Sequence, residues 1–400
     1  MRFNVEFLGC KASHADAGAI REALLEAGHR QAAAGERAEL AVINSCCVTG
    51  EAVAKSRKAA SRAARSSGRV VVTGCAANLP GNAFAALPGN VSVLPGRPEL
   101  AAASLAAQAG SIGCANDEVG FDRVRAFVKI QDGCSFRCAF CVIPLVRGPS
   151  RSRSADAILR ETRRRIDQGH REVVLTGINL GCFRDREARL ELAGLVRVLG
   201  ELPGLERLRL SSIEINHVSA ELLAALRETP ACARHLHVPL QSGDDGVLHD
   251  MGRRYTSASF LRRLERLAGE FNLTSDVIVG FPTEDEPAFE RTLATVASAG
   301  ITRLHVFPYS PRPETGTAAL DPVTAQVKKE RSARLRALSR SLERRAWEAK
   351  LGSIERVLVD RPGRGYGDDY TPFLVEAPVG ELVTVRAAWL EQEGIVGLAA

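Results

Sequence analysis

Three times in its first eighty residues the chain runs a short β-rich stretch into a turn that carries a cysteine. Arg2–Leu8 leads to Cys10, Leu40–Asn44 to Cys46 and Val70–Thr73 to Cys75, with helical stretches over Ala19–Ala27 and Val53–Arg65 between them. Strands alternating with helices build a parallel sheet, whose sites form in the crevice outside the strands' carboxyl ends. The pattern therefore predicts an α/β domain of βαβ units over residues 1–110 and the convergence of three thiols that are distant in the chain. One such cysteine is ordinary, because free cysteine packs as a small apolar residue. Three in equivalent positions point to a three-thiolate cluster site. Cys47 adjoins Cys46, which leaves open which of the two thiols faces inward.

A second group, Cys134, Cys138 and Cys141, has C-x3-C-x2-C spacing and gathers three thiolates on one loop. An iron–sulfur cubane held by three cysteines keeps one iron open to a small ligand. Structural zinc instead takes four ligands, usually from paired Cys-x2-Cys units, and no second pair lies nearby. Without a metal, three unpaired thiols would leave a reactive group on an exposed turn. Phe140, beside the last cysteine, offers an aromatic face to a flat ligand held there. Ten cysteines grouped this unevenly in 400 residues suit metal or redox chemistry rather than a disulfide framework. Cys114, Cys182 and Cys232 receive no role.

Four hundred residues with 45% apolar content predict two or three domains. No basic start followed by an apolar stretch reads as a signal peptide, and no run of about 18 apolar residues would span a bilayer, so the chain reads as cytoplasmic with no membrane partner. Strand-like runs recur near Ala126–Ile130, Glu172–Leu175, Arg207–Leu210, His235–Pro239, Ser275–Val279 and Arg303–Phe307. Six βα units in one parallel sheet must curl, which predicts a partial (β/α)6 TIM-like barrel over residues 120–345 with its active face at the strands' carboxyl ends. That rule nominates Asn179, Glu214, Gln241 and Ser242 as cofactor contacts; each is equally a candidate cap or turn residue. Pro322–Leu351 reads as one long Arg-rich helix, either a solvated face or an RNA-facing one. Residues 350–400 alternate again over Ile354–Val359, Thr371–Glu376, Glu381–Leu390 and Ile395–Leu398, predicting a small antiparallel all-β domain. A formal net charge of +6, carried mostly by Arg, suits a polyanion such as RNA.

The frame of the second cysteine loop, Phe127–Arg153, resembles that of the radical S-adenosylmethionine methylthiotransferases, and Leu8–Lys11, Val42–Cys46 and Val72–Cys75 match that family's three N-terminal motifs. Cys47–Thr49 with Lys55–Arg57, Val174–Asn179, Ser211–Glu214, His235–Gly243 and Ser275–Pro282 are most similar to the members acting on threonylcarbamoyladenosine in tRNA. Members acting on isopentenyladenosine differ most opposite Leu175–Asn179, and those modifying a ribosomal-protein aspartate differ there and around His235–Gly243. Two positions depart from the pattern: Ser13 stands where Asn is common, and Cys47 where Thr is usual, so motif alignment makes Cys46 the ligand.

The resemblance implies two 4Fe-4S clusters, an auxiliary one on Cys10, Cys46 and Cys75 and a radical-generating one on Cys134, Cys138 and Cys141, whose open iron chelates S-adenosylmethionine. It implies addition of a methylthio group to C2 of the adenine at tRNA position 37, beside the anticodon. The expected partners are the tRNA anticodon stem-loop and an electron donor such as flavodoxin or ferredoxin, with the enzyme a monomer. The alternatives are the other two substrates and, in another class, a non-catalytic iron–sulfur or RNA-binding protein. The last fifty residues fall where the family has its TRAM domain, usually credited with RNA binding. Here four Arg from Gly352 onward face eight Asp and Glu. Acidic surface repels phosphates, so phosphate contact is expected instead from Arg147, Arg151, Arg153 and the long basic helix.

Overall fold

Leu40–Ser45 and Arg69–Gly74 are near-continuous apolar runs, as strands covered on both faces are, and all but Arg69 are buried. The computed structural model describes residues 1–33, 35–81, 83–109 and 124–400; Cys114 lies outside them. In the N-terminal sheet five strands run parallel in the order Arg30–Gln31, Arg2–Phe7, Leu40–Ser45, Arg69–Gly74, Val91–Val93. On one face Phe3 and Val42 pack with Ile20 and Leu24 of the helix Lys11–Glu26. On the other, Ile43 and Val72 pack with Ala59 and Ala60 of the helix Gly50–Ser66, whose first turn is capped by Thr49 Oγ1 accepting from Ala52 N at 3.1 Å. The first helix starts eight residues before the expected Ala19, because Lys11–Gly18 is helix-compatible but carries no apolar stripe to announce it.

By its contacts this first unit comprises Met1–Phe121, Asp132–Arg151 and Ser310–Ala319. The C-x3-C-x2-C loop thus belongs with the N-terminal cysteines.

The second unit holds six parallel strands in two runs of three. Arg125–Lys129, Glu172–Thr176 and Arg207–Leu210 form one, His235–His237, Asn272–Val279 and Ile301–Pro308 the other. Parallel bridges Leu208–Cys232 and Ser212–His237 join them into a partial barrel. Helices such as Ala155–Asp167, Glu286–Ser298 and Ala325–Glu348 follow strands and are capped by Ser154, Asp285 and Thr324. Val173, Leu175, Leu208, Val277, Leu304 and Leu335 lie in the core between sheet and helices.

The same unit ends in a closed barrel of five strands, Ile354–Arg361, Arg364–Gly367, Pro372–Leu374, Leu382–Leu390 and Ile395–Ala399, around Val357, Val359, Phe373, Val385 and Ile395. One strand more than expected is present: Arg364–Gly367 reads as a turn, yet Gly365 lets it lie close to its neighbour, where a Cβ would stand 2.5 Å from Leu358 O. Nor is the barrel wholly antiparallel, since Pro372–Leu374 pairs parallel with Ile395–Ala399. Its acidity is largely internal to the unit. Asp360 pairs with Arg125 at 3.2 Å, Asp368 with Arg207 at 2.5 Å and Asp369 with Lys350 at 3.0 Å, while Arg125 and Arg209 lie over the rings of Tyr366 and Tyr370 at 4.7 and 4.5 Å. Among the described residues no helix is long and apolar enough to cross a membrane.

Candidate metal centre

In the first unit Cys10, Cys75 and Cys134 each follow a glycine of left-handed backbone, with φ +120° at Gly9, +86° at Gly74 and +69° at Gly133. A Cβ would stand 2.2 Å from Asn44 Oδ1 at Gly74 and 2.2 Å from Pro149 O at Gly133, so the chain can turn each cysteine out of its strand end only through glycine. At Gly9 the same atom would meet Cys46 Sγ at 3.0 Å, which puts the Cys46 thiol beside the Cys10 turn. Ser13 lies 3.7 Å from Cys10 Sγ by its hydroxyl.

Neighbouring Cys46 and Cys47 are both buried at this group. Burial pushes the Cys46 thiol up to about 11, and the nearby Cys75 and Cys10 add to it. Cys47 is wholly buried among Ile43, Ala59 and Val72 and is hydrogen-bonded to Cys75. Cys46 thus stands beside the Cys10 turn and Cys47 beside Cys75, and the motif alignment is what selects Cys46. The Cys75 thiol is brought down to about 7 by the hydrogen bond with Cys47 and the charge of Arg147, against the effect of burial.

Arg147 ends the short helix Ile143–Arg147 that follows Cys141. Its Nε donates to Cys75 Sγ at 3.0 Å, one terminal nitrogen to Asp132 at 3.0 and 3.2 Å, and the other to Asp16 at 2.8 Å. Its side chain is only 2% exposed. This corrects the expectation that Arg147 contacts RNA: a buried guanidinium whose three nitrogens all donate inside the protein is not presented to a phosphate. Asp132 stands two residues before Cys134 and Asp16 lies on the helix that starts after Cys10, so one buried cation ties both cysteine groups together.

The C-x3-C-x2-C loop is closed on itself and braced. Cys134 N donates to Gly148 O at 3.0 Å and Cys141 N to Cys138 O at 3.1 Å, while Thr317 donates twice to Ala139 O, at 3.1 and 3.0 Å. Phe140 is half-buried. Structural zinc takes four ligands, whereas a cubane held by three thiolates keeps one iron open. Two groups of three thiols suit iron–sulfur clusters on that count. A cleft of about 320 Å³ lies beside Cys75, lined also by Asn78, Arg97, Asp132 and Arg151.

The remaining nominated residues separate by what their side chains touch. Arg151 donates to the carbonyls of Arg147 and Pro149 at 3.1 and 3.2 Å, at the cleft. Arg153 is bound to Glu161 at 2.6 Å and Lys129 O at 2.8 Å. In the second unit Asn179 is buried with its amide oxygen unpartnered, its backbone N held by Gln131 Oε1 at 2.8 Å. Gln241 adopts φ +69°, a conformation costing a non-glycine residue about 1 kcal/mol or more, and is fixed by its N donating to Asp276 O at 2.8 Å. Glu214 is ion-paired with Arg253. Ser242 is fully buried, with its hydroxyl on Thr292 at 3.3 Å and accepting from Asp244 N at 3.2 Å, so it serves the local turn instead of a ligand. Sequence reasoning misses Gln131 and Thr317, whose roles arise from folding distant segments together, and misses His237, Asp276 and His305, of which only the His-x-His spacing of residues 235 and 237 is a visible signal.

Residues 128–296 match the family model described as Radical SAM superfamily, and residues 2–96 match Uncharacterized protein family UPF0004. Over 99% of this chain and 97% of the relative, it is 32% identical to the threonylcarbamoyladenosine tRNA methylthiotransferase MtaB of Chlamydia pneumoniae. The MtaB of Bacillus subtilis is 33% identical over 95% of this chain and 92% of its own. A tRNA-2-methylthio-N(6)-dimethylallyladenosine synthase of Geobacter sulfurreducens is 32% identical over 89% and 86%. Among solved structures, the radical S-adenosylmethionine methyltransferase TsrM from Kitasatospora setae superposes with a TM-score of 0.60 over 79% of this chain and 75% of that one at 15% identity, a likeness of fold.

Proposed function

The chain belongs to the radical S-adenosylmethionine methylthiotransferases, and from that premise we propose that it adds a methylthio group to C2 of N6-threonylcarbamoyladenosine at tRNA position 37. The observation that carries the reading is the presence of two thiolate triads in one compact unit, tied through Arg147. Cys134, Cys138 and Cys141 would hold one 4Fe-4S cluster, and Cys10, Cys46 and Cys75 the other. When bound, the clusters and S-adenosylmethionine supply hydrogen abstraction from an unactivated carbon and the sulfur and methyl group that replace it.

The protein's own share is placement. Arg147 holds the Cys75 thiolate by charge and hydrogen bond, and the glycine turns fix where each thiol points. The unpartnered Asn179 amide oxygen is an acceptor awaiting a donor, and the strained Gln241 is the kind of residue kept where a ligand needs it. Relatives named for threonylcarbamoyladenosine and for dimethylallyladenosine are similar to this chain to about the same degree, so the choice between them rests on the segment Leu175–Asn179. An unpaired loop base is the part of a tRNA a protein can splay out and read. The five-stranded C-terminal barrel is consistent with the TRAM domain expected there, and a flavodoxin- or ferredoxin-like donor is the expected source of electrons.

The test is complementation. In a bacterium lacking its own enzyme, this chain should restore the methylthio derivative of threonylcarbamoyladenosine in digested tRNA, as read by mass spectrometry; restoration of only the dimethylallyl derivative would transfer the reading to the second substrate. Cys75→Ala should abolish the product yet leave S-adenosylmethionine cleavage, whereas Cys138→Ala should abolish both. Equal loss of cleavage in the two variants would refute the division of labour.

A further inference from the structure

In the second unit, three adjacent parallel strands of the partial barrel each present one metal-ligating side chain to the same point. His237 ends the strand His235–His237, Asp276 lies mid-strand in Asn272–Val279 and His305 mid-strand in Ile301–Pro308. Their neighbours Val277, Leu304 and Val306 belong to the core beneath the helices, so the trio faces the opposite, inner side of the curled sheet. His237 Nε2 and His305 Nδ1 both lie 3.1 Å from Asp276 Oδ1, and the ligand atoms of all three fall within 4.8 Å of one another. From these positions we infer that His237, Asp276 and His305 form a divalent transition-metal site within the barrel, distinct from both iron–sulfur centres.

Donor chemistry and spacing agree. Two imidazoles and one carboxylate are the ligands borderline cations such as zinc or ferrous iron take, with three protein ligands leaving positions open. At metal–ligand distances of about 2.1 Å, ligands at tetrahedral or octahedral angles stand about 3.0–3.4 Å apart, which is the spacing of the carboxylate oxygen from either ring. The two imidazoles have centroids 5.3 Å apart, and rings radiating from one tetrahedral ion would have centroids about 5 Å apart. A supporting layer exists as well: His237 Nδ1 is hydrogen-bonded to Thr274 Oγ1 at 2.9 Å, which orients the ring and leaves Nε2 toward Asp276. Thr274 also meets His235 Nε2 at 2.9 Å, so the ligand-bearing strand is pinned from below. His237 is buried, Asp276 partly so and His305 exposed, and the open positions can therefore be reached by a ligand with oxygen donors such as a carboxylate or hydroxyl.

The test uses the enzyme with both clusters reconstituted, so that the six ligand thiols are occupied, and cobalt(II) as the probe. One equivalent of cobalt should bind per chain with the visible bands of nitrogen and oxygen ligation and without a sulfur-to-cobalt charge-transfer band. Asp276→Asn and His305→Ala should each weaken it at least ten-fold, Thr274→Val should weaken it about ten-fold, and Cys182→Ser should leave it unchanged. His305 is exposed, so its variant keeps the fold, and an unshifted melting temperature checks this. No binding, a thiolate band, or equal binding by Asp276→Asn and His305→Ala would overturn the inference and leave a metal-free His–Asp–His hydrogen-bond group.

Discussion

A guanidinium presents five N–H donors in one plane, and at Arg147 that plane meets three acceptors, Cys75 Sγ, Asp132 and Asp16, all withdrawn from solvent. Lysine offers a point charge that cannot reach all three, and methionine leaves two carboxylates buried without a counter-charge. Arg147→Met should therefore destabilise the protein by about 3–5 kcal/mol in urea unfolding. Arg147→Lys should keep more of the stability but lose iron from the N-terminal centre, measured in a background where Cys134, Cys138 and Cys141 are all alanine. Full iron loading and an unchanged midpoint in both variants would show the interaction to be incidental. At this scale the turns that carry Cys10, Cys75 and Cys134 are readable, because the glycine before each is a turn signal in the chain itself. The role of Arg147 is not, since its partners come from residues 16, 75 and 132 and only folding brings them together.

Register sets a second ion group, across elements. Arg125, Glu172 and Arg207 stand directly opposite one another on three adjacent strands, with Arg209 reaching the same carboxylate at 2.9 Å. Burial by itself would raise the Glu172 carboxyl, but the charges of Arg209 and Arg125 outweigh it and hold the group down at about 2. A carboxyl depressed in the folded state stabilises fully above its unfolded value of about 4.5, and that contribution is lost as pH falls toward 2. It amounts to on the order of 3 kcal/mol. In urea melts Glu172→Gln should be weaker at pH 7 by about 3 kcal/mol and lose less on acidification between pH 4.5 and 2 than the parent; parallel losses would exclude Glu172 as the acid-sensitive group. The strands themselves are legible from their apolar runs. The inward direction of Arg207 and Arg209 is not, because in Arg-Leu-Arg-Leu the charged face looks solvated until Asp368 and Tyr370, far along the chain, are folded against it.

For the molecule as a whole, the net charge of +6 matters less than where charge remains free. By composition the acidic C-terminal barrel presents a phosphate-repelling surface, but Asp360, Asp368 and Asp369 are used in ion pairs within its own unit, and the count of acids overstates the exposed negative charge. The long helix Ala325–Glu348 divides likewise. Lys328, Arg331 and Arg334 are ion-paired with Asp321, Glu284, Glu286 and Glu290 and hold the helix to its neighbours. Lys329, Arg336 and Arg340 are exposed, and at about 100° per residue they fall on one face. A row of exposed cations on one helix face is suited to a run of phosphates, which the paired residues are not. Lys329→Glu combined with Arg340→Glu should weaken tRNA binding and flatten its salt dependence by about 0.7–0.9 in log–log slope for each phosphate the helix no longer neutralises, with no change in melting temperature. Asp360→Asn should do the reverse, lowering the melting temperature while leaving the salt slope intact. An unaltered slope in the double variant would move the phosphate path off this helix, toward Arg151 and Arg97 at the cleft beside Cys75.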